Sequence, residues 1–109
     1  MSGLQPAIVG KEAITKISEV NLPALKRLQD LIMLKGYSKN TLETYSREFS
    51  QLLYMLKNVN VDTLTAERLR SYFLYCHSTL KLSENEMHSR INAVKFYFEQ
   101  VLKRDKMFF

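Results

Sequence analysis

The side chains best suited to catalysis or metal binding are few in this sequence. Histidine occurs only at His77 and His88, and the single cysteine is Cys76. A closed zinc site needs four ligands, and at helical spacing the nearest further candidate is Glu84, four residues before His88. The three glycines stand apart at positions 3, 10 and 36, so they form no phosphate-binding loop. We therefore expect no metal, no cofactor and no catalytic residue in this chain.

A cluster of polar residues at the start of a predicted helix is more informative. Ser38, Lys39, Asn40 and Thr41 bring hydroxyls, an amide and a cation together with the free backbone N–H groups of a first helical turn. Such a helix end can hold a phosphate oxygen. The same residues also suit a simple helix cap, and the residues alone leave both interpretations open.

A second polar set lies on one face of the last predicted helix. At 100° per residue this face is about 120° from the apolar face of the same helix, and it carries Asn85, His88, Ser89, Asn92 and Lys95. Side chains of these types can contact base edges in a DNA major groove. Arg90 lies nearer the core edge, from which it can reach a backbone phosphate. An ordinary solvated face is the alternative, and the carboxylates of Glu84, Glu86 and Glu99 favour it because they repel phosphates.

The elements that position these side chains follow from the spacing of apolar residues. Apolar positions three and four residues apart predict helices at about 22–35, 39–57, 66–80 and from residue 83 to about 102. No segment alternates with a period of two, so no strand is predicted. Four helices with short connections predict an all-α fold, a small helical bundle whose core includes Cys76.

Residues that begin and end helices support these boundaries. Asn21 and Thr65 are predicted N-caps, and either Ser38 or Asn40 caps the second helix. Capping boxes are predicted for Asn40 with Glu43 and for Ser83 with Glu86, and Gly36 follows the first helix where a positive φ is wanted.

Length and charge limit the classes of function. The chain has 109 residues, a single domain's length, and 16 Lys and Arg against 11 Asp and Glu give a net charge of +5. An acidic partner is therefore expected, and nucleic acid is the commonest one. No apolar run is long enough to cross a membrane, and one cysteine suits a reducing compartment such as the bacterial cytoplasm.

Three segments together resemble the N-terminal core-binding domain of tyrosine recombinases, the phage-integrase family. Residues 36–45 (GYSKNTLETY) resemble its G-x-S-x-N-T-x-x-x-Y opening, and residues 64–72 (LTAERLRSY) resemble the start of its third helix. Residues 82–98, beginning LSENEM and ending INAVKFYF, resemble its fourth helix. The order and spacing match, and the resemblance covers residues 22–104.

The resemblance implies a SAM-like bundle of four or five helices that forms one half of a clamp around duplex DNA. Two helices of that domain lie against the major groove, so the implied DNA-binding residues are Ser38, Lys39, Asn40, Thr41, Arg47, Asn85, His88, Ser89, Arg90, Asn92 and Lys95. The implied partners are double-stranded DNA, a catalytic domain of the same parent chain, and other recombinase protomers on DNA. The family's catalytic His-x-x-Arg motif does not occur here, so this chain alone is not expected to be an enzyme.

The sequence departs from the family pattern at two positions. Glu86 stands where the family often has threonine, and Lys95 replaces the commoner arginine, which loses the bidentate fork but keeps the charge. Residues 1–20 are predicted to be a loosely ordered arm, 21–104 the helical domain, and 105–109 the start of a linker. The alternative function is a helical protein-interaction module whose contact surface is Tyr54, Phe96, Phe108 and Phe109.

Overall fold

The predicted helices are present in a computed structural model, which describes residues 17–105. They are α1 (Leu22–Leu34), α2 (Lys39–Leu56), α3 (Ala66–Ser78) and α4 (Glu84–Lys95), with a short 3₁₀ turn at Val61–Thr63 between α2 and α3. The chain continues from α4 into a π-helical segment, Phe96–Val101. The described part contains no strand, which confirms the all-α prediction.

Short polar side chains begin α2, α3 and α4. The backbone N–H groups of Thr41 and Arg68 donate to the hydroxyls of Ser38 and Thr65, each at 3.1 Å. The predicted capping box at α4 is confirmed, since Glu86 N–H donates to the Ser83 hydroxyl at 3.2 Å and Ser83 N–H donates to the Glu86 carboxylate at 3.0 Å.

The capping box predicted for Asn40 is wrong. Ser38, two residues earlier, is already the N-cap of α2, so Asn40 lies inside the first turn of the helix. Gly36 behaves as predicted, with φ +74° in the turn between α1 and α2. Glycine adopts that conformation without the steric cost that a Cβ atom would add.

Asn21 does not cap α1 with its side chain, which corrects the prediction. Its backbone is already helical (φ −109°, ψ −4°) and its side chain is fully buried. The amide Nδ2 donates to the carbonyls of Val59 at 2.8 Å and Lys57 at 3.3 Å, while Oδ1 accepts from the N–H of Val61 at 2.9 Å. One side chain therefore joins the start of α1 to the connection between α2 and α3.

The core lies between α1, α2, α3, α4 and the π-helical segment. Phe49 of α2 packs on Tyr97 with ring centroids 4.6 Å apart, and Cys76 of α3 is fully buried, as predicted. Phe96, which the alternative function assigns to an exposed contact surface, is only 8% exposed. The rings of Tyr37 and Tyr45 cover it, with centroids at 5.9 and 5.6 Å.

A polar network fastens the last turn of the domain to the 3₁₀ turn. The Tyr97 hydroxyl donates to Asp62 at 2.6 Å and accepts from Arg27 at 2.8 Å. Burial, followed by the hydrogen bond to Asp62, raises the pKa of Tyr97 to about 12. Arg104 donates to the carbonyls of Leu64 and Asp62, which holds the chain at its exit from the domain.

Candidate nucleic-acid interface

Helices α2 and α4, which carry the predicted site, lie side by side and run in opposite directions. Glu48 of α2 contacts Arg90 of α4, and Tyr45 of α2 contacts Phe96 just beyond α4. Contacts therefore move toward the N-terminus of α2 as they move toward the C-terminus of α4. The N-terminal turn of α2 accordingly lies beside the C-terminal end of α4.

A buried ion pair fixes the two helices against each other. Glu48 Oε1 and Arg90 Nε are 2.6 Å apart, and their side chains are only 9% and 8% exposed. Arg90 also donates to the Tyr72 hydroxyl at 3.0 Å and contacts the Cys76 sulfur at 3.7 Å. Burial is the largest effect on the pKa of Arg90 and lowers it, but the contacts with Glu48 and Tyr72 together outweigh burial and raise the pKa.

The predicted phosphate contact of Arg90 is therefore corrected. Its guanidinium lies under the helices rather than at the surface, because the side chain points toward α2 and finds Glu48 there. A guanidinium buried and paired in this way would have to leave Glu48 before it could reach an outside phosphate. The position near the core edge was predicted correctly, but its partner on α2 was not.

The other predicted residues remain at the surface. Ser38, Lys39, Asn40, Arg47, Asn85, His88 and Asn92 are exposed, and Thr41, Ser89 and Lys95 are half-buried. The Ser38 hydroxyl accepts from Thr41 N–H and donates to the Thr41 hydroxyl at 3.0 Å, so both hydroxyls already serve the helix cap. A hydrogen bond from either hydroxyl to a ligand would therefore compete with the cap.

Helical spacing brings part of this set onto one continuous surface. Asn85, Ser89 and Asn92 share a stripe of α4 with Phe96, whose ring faces α2. On α2, Thr44 and Gln51 share a stripe with Glu48, which faces α4. Asn40 and Arg47 lie beside this stripe, on the side away from Glu48. We call this set of seven side chains the α2–α4 surface. The sequence analysis missed Thr44 and Gln51, although both stand three or four residues from predicted members.

The α2–α4 surface is rich in neutral hydrogen-bonding groups and carries a cation at its centre. Arg47 is 62% exposed, and its Nε lies 3.4 Å from Glu48 Oε2, so the same carboxylate that holds Arg90 also orients Arg47. The Lys95 ammonium lies 3.9 Å from the Glu99 carboxylate of the π-helical segment. Amides, hydroxyls and an arginine fork together can contact phosphates and base edges.

His88 lies at the boundary between the α2–α4 surface and a groove on the other side of α4. This α3–α4 groove has a volume of about 480 Å³ and is lined by Arg70, Phe73, Leu74, His77, Leu82, Glu84, Met87, His88 and Ile91. The sequence analysis did not find it, because the groove depends on how α3 and α4 pack. The exposed leucine in the middle of α3, Leu74, was the available signal.

Tyr54 and Phe96 are the members of the predicted interaction-module surface that lie within the described residues. Phe96 is buried by tyrosines, and Tyr54 is half-buried against the core. Phe108 and Phe109 lie outside the described residues, as do most of the predicted arm and linker. Phe96 is therefore not available to a partner, and the interaction-module alternative stays a prediction.

Two further features bear on the class of function. Within residues 17–105, no three His, Cys, Asp or Glu side chains gather closely enough to hold a metal ion. In the same part of the chain, no helix combines the length and apolar character needed to cross a membrane.

Comparisons with known proteins identify the family. The model of the phage integrase N-terminal SAM-like domain matches residues 24–106, well over half of the chain. A protein of Sinorhizobium fredii (strain NBRC 101917 / NGR234) that carries the name integrase/recombinase y4qK is 30% identical over 86 residues. That match covers 79% of this chain but only 28% of the relative, so the chain spans little more than a quarter of the relative's length. No solved structure matches the chain significantly. The chain thus belongs to the phage integrase family, with most of its length forming the family's N-terminal SAM-like domain.

Proposed function

We propose that this domain binds duplex DNA through the α2–α4 surface and holds it for strand exchange by a catalytic domain elsewhere in the parent protein. The observation that carries the proposal is the α2–α4 pair itself. Two helices are locked by a buried ion pair and present polar side chains outward. The family assignment and the net charge of +5 support the same conclusion.

The α2–α4 surface suits binding in a DNA groove because buried side chains hold the two helices together while other, exposed side chains remain free to contact DNA. Glu48 and Arg90 are buried beneath the surface and fix the spacing of the helices, while Arg47, Asn85 and Asn92 extend from it. Preorganised side chains lose less conformational freedom on binding than mobile ones. We assign the direct DNA contacts to the α2–α4 surface and to Lys39 at its end, with His88 and Lys95 at its edge.

The test is a titration of the chain with duplex DNA at several salt concentrations, followed by fluorescence anisotropy. Replacing Arg47 with alanine should weaken binding and reduce the slope of log K against log salt by about one, because one phosphate contact is lost. Amide shifts of labelled protein should cluster at Asn40, Arg47, Asn85 and Asn92.

A matched control uses Arg68, which is exposed on α3 and lies outside the α2–α4 surface. Arg68→Ala removes the same charge, so it should leave both affinity and salt slope nearly unchanged. Equal losses from the two variants would mean that overall charge, rather than this surface, drives binding. Absence of binding to any duplex at low salt would remove the proposal for the isolated domain.

A further inference from the structure

The α3–α4 groove is an apolar feature that shares only His88 with the proposed DNA contacts. It lies between two ridges, one formed by Arg70, Leu74 and His77 of α3 and the other by Met87 and Ile91 of α4. Seven residues along each helix make the groove about 10 Å long. Its size is therefore that of a binding site for two or three large side chains rather than for a whole domain.

Apolar side chains are left in water along this groove. Leu74 is 61% exposed, and Leu80, in the connection that leads to the groove residue Leu82, is 44% exposed. Single exposed leucines are ordinary on protein surfaces, but leucines that continue into an apolar groove mark an interaction site. A helix that inserts residues three and four positions apart is the partner that such a groove between two helices accommodates.

The charges around the groove indicate the chemistry of that partner. Arg70, His77 and His88 line the groove, and the exposed Lys81 directly precedes the lining residue Leu82 in the connection between α3 and α4. Glu84 is the acidic residue among the groove's lining side chains. A partner whose apolar residues are flanked by carboxylates would therefore meet a complementary rim.

The same charges disfavour a second copy of this chain as the occupant. Among residues 17–105, the most exposed apolar residues outside the groove are Leu34, at 82%, and Met33, at 56%. Lys35 and Lys39 follow these two residues in the sequence. If Met33 and Leu34 of a second copy entered the groove, these lysines would therefore come close to Arg70 and Lys81. Like charges facing each other across an interface oppose association.

We propose that the α3–α4 groove binds an amphipathic helix of a partner protein, with apolar residues in the groove and acidic residues against Arg70 and Lys81. The site is distinct from the α2–α4 surface, so a domain bound to DNA can hold this partner at the same time. Its function would be to recruit a second protein to the DNA-bound domain.

The probe is a synthetic helix of roughly 18 residues, long enough to form in water when its sequence favours helix. It carries leucine at every third or fourth position and glutamate at the flanking positions, and a second peptide has lysine in place of each glutamate. Titration into the labelled chain should shift the amides of Arg70, Leu74, His77 and Ile91. The glutamate peptide should bind at least about tenfold more tightly than the lysine peptide.

Two variants distinguish binding in the groove from nonspecific hydrophobic binding elsewhere on the surface. Leu74→Glu should reduce binding of the glutamate peptide at least about tenfold, whereas Leu34→Glu, the same change at an exposed leucine on α1, should not. The proposal is overturned if neither peptide shifts these amides, if both peptides bind with equal affinity, or if both variants lose binding equally. Concentration-dependent shifts of the groove amides without peptide would identify a second copy as the occupant and would also overturn it.

Discussion

Replacing Arg90 with methionine is predicted to destabilise the domain strongly. The change leaves Glu48, 9% exposed, without the guanidinium that lies 2.6 Å from its Oε1. Removing one partner of a buried ion pair costs about 3–5 kcal/mol, because the remaining charge stays desolvated. The exposed Arg47, 3.4 Å from Oε2, still neutralises part of that charge, which favours the lower end of the range.

The lost hydrogen bond to Tyr72 adds to this effect. Its hydroxyl accepts from Arg90 at 3.0 Å, and a buried hydroxyl without a donor costs about 1 kcal/mol more. We therefore expect Arg90→Met to lower the free energy of unfolding by about 4 kcal/mol. A domain of this size has about 5–15 kcal/mol in total, so the variant should still fold at low temperature.

The assay is urea unfolding at pH 7, followed by far-ultraviolet circular dichroism, with the slope m checked for constancy. The double variant Glu48→Met, Arg90→Met removes both charges and should recover stability to within about 1 kcal/mol of the original chain. Arg47→Met, at the exposed member of the cluster, should change stability by less than about 1 kcal/mol. A loss below about 1 kcal/mol for Arg90→Met, or a double variant no more stable than the single one, would refute this account of the pair.

Three further predictions concern the fold. Asn21→Ala should lower the free energy of unfolding by about 2–3 kcal/mol, because it leaves the buried N–H of Val61 without an acceptor; urea unfolding measures this, and a loss below about 1 kcal/mol would contradict the role of the side chain. Ser83→Ala should cost about 1 kcal/mol through loss of the α4 cap, and in the same assay Ser71→Ala, at an exposed mid-helix serine, should cost less. The pKa of Tyr97 is raised to about 12 from an ordinary value of 10. The contribution of its protonated hydroxyl to the free energy of unfolding is therefore complete below pH 10 and is lost as the pH rises toward 12. Between pH 10 and pH 12 the Tm should therefore fall less steeply with pH for Tyr97→Phe than for the original chain. Identical slopes of Tm against pH would show that this hydroxyl does not titrate as described.

Local patterns predicted the helices because their causes are local. The apolar spacing placed both ends of α1, α2 and α3 and the start of α4 to within about two residues. The end of α4 was predicted near residue 102, whereas α4 ends at Lys95 and the chain continues as a π-helical segment to Val101. Ser83 and Glu86 form their capping box three residues apart, and Gly36 adopts its positive φ within a single turn. None of these features depends on a distant part of the chain.

The errors arose where a side chain has a distant partner. Asn21 suits an N-cap and a buried amide equally well, and only the carbonyls of Lys57 and Val59 distinguish the two roles. Arg90 lies 42 positions after Glu48, so its burial depends on how α2 and α4 pack. The exposed polar residues of the candidate site could be grouped from the sequence for the same reason as the helices. Which residues share a face of a helix depends only on their spacing along the chain.

The hydrogen bonds of Asn21 also determine how the domain opens. The amide of Val61 belongs to a short turn, yet its acceptor is the side chain of a residue at the start of α1, 40 positions away. An amide held in this way exchanges with solvent only when that long-range contact breaks. The connection between α2 and α3 should therefore exchange its Val61 hydrogen together with the first turn of α1, as one cooperative unit, rather than as an independent loop.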